Sequence, residues 1–139
     1  MISAKNTFEL MQEHGIIIVS VNGNQTAETV ADALSQVKTL KKFLDIDSKD
    51  FCILINTLGA GSVELSAIPM SIRFLNELDF NAVAMVLDHS LLGSLVEFIV
   101  KNSKKVDRIK KFDNQADANT WLVDSGMNRS EERRVGKEC

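Results

Sequence analysis

Between Phe51 and Asp79 the chain passes from an unbroken apolar run, through a glycine-bearing stretch, into a periodic apolar pattern. Phe51, Cys52, Ile53, Leu54 and Ile55 lie between Lys49-Asp50 and Asn56. The run is too short for an ordinary helix and holds β-branched and aromatic members, which predicts a strand covered on both faces. Gly59 and Gly61 supply backbone freedom for a sharp exit, so the segment after Asn56 is expected to be a turn. The next helix has two possible starts, Ser62 and Ser66. Pro69 decides between them, because with Ser66 as N-cap the proline falls in the first turn, where its missing N–H costs nothing. Ile68, Ile72 and Leu75 then face the core.

Earlier in the chain, Thr7 to Glu13 alternates polar and apolar residues, and Ile16 to Val21 is strongly β-branched. His14-Gly15 between them predicts a hairpin, which Asn22-Gly23-Asn24 is expected to end. Thr26 is a good N-cap, with Glu28 in the first turn. Val30, Leu34, Val37, Leu40 and Leu44 then recur at helical spacing. Asp45 to Asp50 connects this helix to the central strand. Ala82 to Leu87 is a second wholly apolar strand, and Leu91 to Asn102 a helix apolar over most of its circumference. Val106 to Phe112 predicts the last strand. Asp113-Asn114 opens a final helix carrying Ala118, Trp121 and Leu122, which ends by Gly126. The order β-β-α-β-α-β-α-β-α implies an α/β fold: a largely parallel sheet with right-handed crossovers, and an antiparallel member from the opening hairpin.

Length allows one domain, expected over residues 1–128. The last eleven residues, Arg129 to Cys139, are almost entirely polar and aperiodic. They resemble the in-frame translation of a short-read sequencing adapter and are expected to be a non-native, disordered tail, set aside from fold reasoning. Without the tail's four basic and three acidic residues, 12 basic and 16 acidic residues remain, a net charge of −4. An acidic body argues against sequence-independent nucleic-acid binding, which depends on phosphate neutralisation. Charges at Lys5, Glu9 and Glu13 interrupt any signal-peptide core, and no uncharged stretch approaches a membrane span. Two cysteines cannot form a disulfide framework, so a cytoplasmic setting is expected.

The stretches GIIIVSVNGNQTAETV, FCILINTLGAGSVELSA, AMVLDHS and RIKKFDNQADANTWL, in this element order, resemble the STAS superfamily and in particular its SpoIIAA-like branch. The likeness spans about Thr7 to Val123 and implies a STAS/SpoIIAA-like mixed sheet in a bacterial regulatory protein. In the antagonist members of that superfamily a strand ends in Asp, and an Asp-Ser-Ser-Gly opens the next helix with its second serine phosphorylated. The resemblance places Asn56 at the strand-end acid, Glu64 at the second acid, Leu65 at the first serine, Ser66 at the phosphoacceptor and Ala67 at the glycine. Only the second acid and Ser66 match in kind.

Each candidate has a plainer alternative. Ser66 is a phosphoacceptor candidate whose phosphate would add about two negative charges to a docking face; as a simple N-cap it would be worth about 1 kcal/mol. Gly59-Ala60-Gly61 invites a dinucleotide reading, but the third glycine of that fingerprint falls on Glu64. Lys101, Lys104, Lys105, Arg108, Lys110 and Lys111 form a basic patch, which reads either as a docking surface or as lysines protecting an edge strand. Leu91, Leu92, Leu95, Val96, Phe98, Ile99 and Val100 exceed one buried face, and either line an apolar ligand site or dimer contact or belong to a helix buried on several sides. His14 and His89 read as polar turn residues, with no metal cluster or triad around them.

The function expected is a non-enzymatic, STAS-like interaction module. Its working face is Gly59, Gly61, Ser62, Glu64 and Ser66, and it needs a protein partner, no cofactor and no metal. The alternative is a carrier holding a lipid or small apolar molecule against Leu91, Leu95, Phe98 and Ile99. Oligomeric state is left open.

Overall fold

The computed structural model describes residues 8–13, 16–47, 50–88 and 90–124. Strand β1 (Phe8–Glu13) pairs antiparallel with β2 (Ile16–Gln25), from Glu13 opposite Ile16 to Phe8 opposite Val21. This is the expected hairpin; its turn residues His14 and Gly15 lie outside the described residues, as do His89 and the segment beyond residue 124. Helix α1 (Ala27–Leu44) leads to β3 (Cys52–Val63), α2 (Ala67–Glu77) to β4 (Ala82–Val86), and α3 (Leu91–Lys101) through a 3-10 turn (Val106–Arg108) to β5 (Ile109–Phe112). Residues 115–124 form a last helix, α4. The sheet order is β1-β2-β3-β4-β5, with β2 to β5 parallel.

Apolar residues on both faces of every central strand explain this arrangement. Ile17, Val19, Ile53, Ile55, Val83 and Met85 join a core built with α1, α2 and α3. Their strand neighbours Ile16, Ile18, Cys52, Leu54, Ala82, Ala84 and Val86 pack with Ala118 and Leu122 of α4. Three crossovers stepping the same way across a sheet put their helices on one face when all are right-handed, which leaves the opposite face for α4. The β3 run is central and covered as expected, Cys52 being 3% and Ile53 0% exposed.

Thr26 caps α1 as expected, and does so within a capping box. Its hydroxyl accepts from Thr29 N–H at 3.2 Å, and its own N–H donates to Thr29 Oγ1 at 2.9 Å. The helix ends on Asp45 in the left-handed conformation (φ 55°). Ser90 caps α3 by accepting from Gly93 N–H at 3.2 Å. Asn114 caps α4 by accepting from Asp117 N–H at 2.8 Å.

Three boundaries differ from expectation by more than one residue. Asn22-Gly23-Asn24 does not end β2, which runs to Gln25. The glycines after Asn56 do not form a turn: β3 continues through them to Val63. The last strand starts at Ile109 rather than Val106, because residues 106–108 wind into a 3-10 turn. The first two differences are one event, since Asn22 to Gln25 and Gly59 to Val63 pair with each other. Neither segment has a strong strand signal alone, and their mutual hydrogen bonding overrides local preference.

Candidate functional site

The paired segments form a two-stranded ribbon that carries β2 and β3 past the ends of their neighbours. Among the described residues β1 pairs with β2 only as far as Val21, and β4 with β3 only as far as Asn56. Register shifts between Ser20 and Asn22 and between Gly23 and Asn24 mark irregularities in the ladder. Gly23 takes φ 69°, a region L side chains disfavour. Gly59 is required for space instead. A Cβ there would stand 2.8 Å from the Val21 carbonyl oxygen and would also collide with Asn22 Oδ1.

Polar side chains tie the ribbon together. Ser62 Oγ donates to Asn24 Oδ1 at 2.5 Å, and Asn24 Nδ2 donates to Glu64 Oε2 at 3.3 Å. Gln25 is buried at the end of β2, donating to the Asn22 carbonyl at 2.8 Å while its Oε1 accepts from Thr29 Oγ1 at 3.2 Å. Sequence reasoning missed Asn22, Asn24 and Gln25, because an Asn-Gly-Asn tract ordinarily signals a turn. Glu64 N–H bonds the Gln25 carbonyl at 2.9 Å and closes the ribbon.

From there the chain turns into α2. Ser66 stands at the N-cap position and Pro69 falls in the first turn, as expected, but Ser66 has helical angles and its side chain makes no capping bond. The turn satisfies the helix start through main chain alone: Ala67 N–H donates to the Glu64 carbonyl at 2.9 Å and Ile68 N–H to the Leu65 carbonyl at 3.2 Å. Pro69 has no N–H to leave over. With these N–H groups engaged, the first turn offers no ready cradle for a phosphate on Ser66. Gly59, Gly61, Ser62, Glu64 and Ser66 are all exposed, and Leu65 between the last two is 83% exposed. The structure thus brings all five expected docking residues onto one open rim. It also disposes of the dinucleotide reading, because both glycines sit inside a strand rather than at a helix start.

The rim is acidic. The chain leaving each parallel strand meets an acid within three residues: Glu28 after β2, Glu64 after β3, Asp88 after β4 and Asp113 after β5. The basic patch approaches β5 from the opposite end and is engaged in packing. Lys105 Nζ sits 4.8 Å from the Phe80 ring centroid and donates to the Leu78 carbonyl. Arg108 Nη1 donates to the Phe80 carbonyl at 3.1 Å. Lys110 lies over Phe112 and Trp121, and Lys111 reaches Glu97 at 3.7 Å. Because β5 is an outer strand, the edge-protecting reading fits these lysines.

A cavity of about 100 Å³ lies between the sheet and the three crossover helices, lined chiefly by Val19, Val30, Ile55, Phe74, Met85 and Ile99. Of the four residues expected to hold an apolar ligand, Ile99 lines this cavity. Leu95 packs half-buried on the core margin and Phe98 is 51% exposed. The side chain of Leu91 lies outside the described residues. The helix turns Val96 and Ile99 inward, and the space it borders is completed by α1, α2 and the ribbon.

Among the described residues no group of three or more His, Cys, Asp or Glu could hold a metal, and no helix is long and apolar enough to cross a membrane. The Glu77 carboxyl is held below its ordinary value by hydrogen bonds from Lys38 and Arg73. It lies at the far end of α2 from the rim.

No family model matches the sequence, and no curated protein matches it. Solved structures do match the fold. One is an uncharacterised protein of the DUF3478 family with a SpoIIAA-like fold from Shewanella loihica PV-4: 15% identity, 83% of this chain and 91% of that chain covered, TM-score 0.59. Another is the anti-sigma factor antagonist SpoIIAA in its unphosphorylated form, at 12% identity, with 84% of this chain and 96% of that one covered and a TM-score of 0.55. A third is an anti-sigma factor antagonist from Mycobacterium paratuberculosis, at 14% identity, with coverage of 84% and 92% and a TM-score of 0.52. With its sequential five-strand sheet, three helices on one face and one on the other, the chain has the SpoIIAA-like, STAS-type fold.

Proposed function

We propose that this chain is a non-enzymatic regulatory module that binds a protein partner through the rim from Gly59 to Ser66. The observation that carries the reading is the exposure of Leu65 between two exposed polar residues, Glu64 and Ser66, on a turn braced by main-chain bonds. A large apolar side chain held outward on a fixed frame is suited to anchor a partner at little ordering cost. Two structures of this fold are named as anti-sigma factor antagonists, which supports a regulatory role here. Ser66 is the proposed phosphoacceptor. Since the helix start has no unused amides to capture the phosphate, modification acts by adding charge beside Glu64 and repelling a partner matched to the unmodified face.

The test is an affinity measurement on a partner recovered from the source cell, comparing the native chain with Ser66→Asp, Glu64→Lys and Leu65→Ala. Each substitution weakens binding by about tenfold or more, or about 1.4 kcal/mol. A partner whose affinity is unchanged by all three removes the rim as the docking face.

The cavity favours a second reading, a carrier for a small apolar molecule. Its volume of about 100 Å³ falls short of the roughly 300–1,000 Å³ of sites for drug-sized ligands, so only a short aliphatic or single-ring ligand fits without rearrangement. Native mass spectrometry of freshly purified protein decides it: a retained small mass supports the carrier, and bare protein supports the docking module.

A further inference from the structure

We propose that the edge of β3 from Thr57 to Val63 is a strand-addition site for an extended peptide segment of the protein partner, uncharged in its centre and basic at both ends. The proposal rests on the docking reading above and gives it a chemistry. β4 pairs with β3 only from Cys52 to Asn56, whereas β3 continues to Val63. Along the side where β4 has ended, these seven residues have no neighbouring strand among the described residues. Main-chain donors and acceptors on such an edge are complementary to one kind of occupant, another extended backbone.

The two edges contrast. β5 is short and carries Lys110 and Lys111, the usual obstacle to unwanted pairing. From Thr57 to Val63 there is neither a charge nor a proline.

An added strand lies in line with β4, beyond Val86, and its two ends meet carboxylates. Glu64 follows Val63 directly. Asp88 follows Val86, whose carbonyl accepts from Thr57 Oγ1 at 2.7 Å at the other end of the edge. Both acids are exposed. Seven residues span about 23 Å, which sets the spacing of the two basic groups. Self-pairing of two copies through this edge in antiparallel register would bring Glu64 of one toward Asp88 of the other, so like charges disfavour a second copy.

The experiment uses the full chain and a synthetic peptide of alternating valine and threonine with a lysine at each end, alongside the same peptide N-methylated at alternate residues. Amide hydrogen exchange and chemical-shift mapping are followed through titration. Slowed exchange within residues 57–63, with at least tenfold weaker binding of the N-methylated peptide on one of its two faces, supports strand addition. Equal binding of methylated and unmethylated peptides, or no binding of either, overturns it. Shifts at Leu65 and Ser66 without protection of residues 57–63 also overturn it while leaving the docking reading intact. That reading fails separately, through a partner indifferent to Ser66→Asp, Glu64→Lys and Leu65→Ala. Protection of residues 57–63 that grows with protein concentration and no peptide identifies a second copy as the occupant and overturns the proposal. Gly61→Pro, which removes one edge N–H, abolishes the protection; the N-methylated probe keeps the test valid if that variant does not fold.

Discussion

Gly59 of β3 passes so close to Val21 of β2 that a side-chain carbon on the glycine would stand 2.8 Å from the Val21 carbonyl oxygen. That approach lets the ribbon close, and it separates the two exposed glycines of the rim. At Gly61 the same added carbon meets only ordinary contacts, the nearest at 3.6 Å. Gly59→Ala is therefore expected to cost about 1–3 kcal/mol through strand displacement, and Gly61→Ala less than about 1 kcal/mol. Urea denaturation of the two variants checks this, and equal costs would contradict the close-approach account.

The two helix starts that looked alike in sequence should respond differently. Thr26→Ala removes a bonded cap and is expected to lose about 1 kcal/mol. Ser66 makes no capping bond, so Ser66→Ala should change stability by less than about 0.5 kcal/mol. Thermal unfolding of both variants is sufficient, and a Ser66 loss matching that of Thr26 would restore the capping role.

Within the basic patch, Lys105→Ala is expected to destabilise by about 1–2 kcal/mol. It removes both a cation over the Phe80 ring and a donor to the Leu78 carbonyl. Lys101, an exposed residue at the end of α3, should tolerate alanine at a cost within about 0.5 kcal/mol. If the two alanine variants unfold at the same denaturant concentration, the patch is not packed as described.

Glu77 accepts from Lys38 at 2.7 Å and from Arg73, and its carboxyl is held below the ordinary value of 4.5. A carboxylate whose folded value is depressed stabilises the fold at pH above the unfolded value. That contribution is lost as pH falls through the folded value. Acid titration of stability should thus show a component below pH 4.5 that Glu77→Gln removes. Because the pair is on the surface, added salt should shrink it. A component of the same size in the variant would assign the acid sensitivity elsewhere.

In the core, Leu54→Ala should cost about 2–5 kcal/mol, because Leu54 is 0% exposed and packs among Ile18, Ala84 and Leu122. Chemical denaturation measures it, and a loss below about 1 kcal/mol would mean that α4 does not seal that face.

Most of the fold was legible in the amino-acid sequence. Apolar runs at residues 51–55 and 82–87 announced strands buried on both sides, and the three-and-four spacing from Val30 to Leu44 announced α1. Burial of a strand or helix face depends on side chains a few positions apart, and such spacing survives any arrangement of the rest. The start of α2 was legible too, because a serine with a proline three positions later marks a helix start wherever it lies.

The nature of the rim was settled only in three dimensions. Asn22 and Gly59 are 37 positions apart, and neither segment declares itself a strand. A glycine reads the same in one dimension whether it bends the chain or admits another backbone alongside. Hydrogen bonds between distant segments decide which, and they converted two supposed turns into a projecting ribbon. Packing of α3 on the sheet put Ile99 rather than Phe98 at the cavity, and local main-chain bonds satisfied the start of α2 without Ser66. Local pattern specified which residues are buried; pairing between remote ones decided what the exposed surface can do.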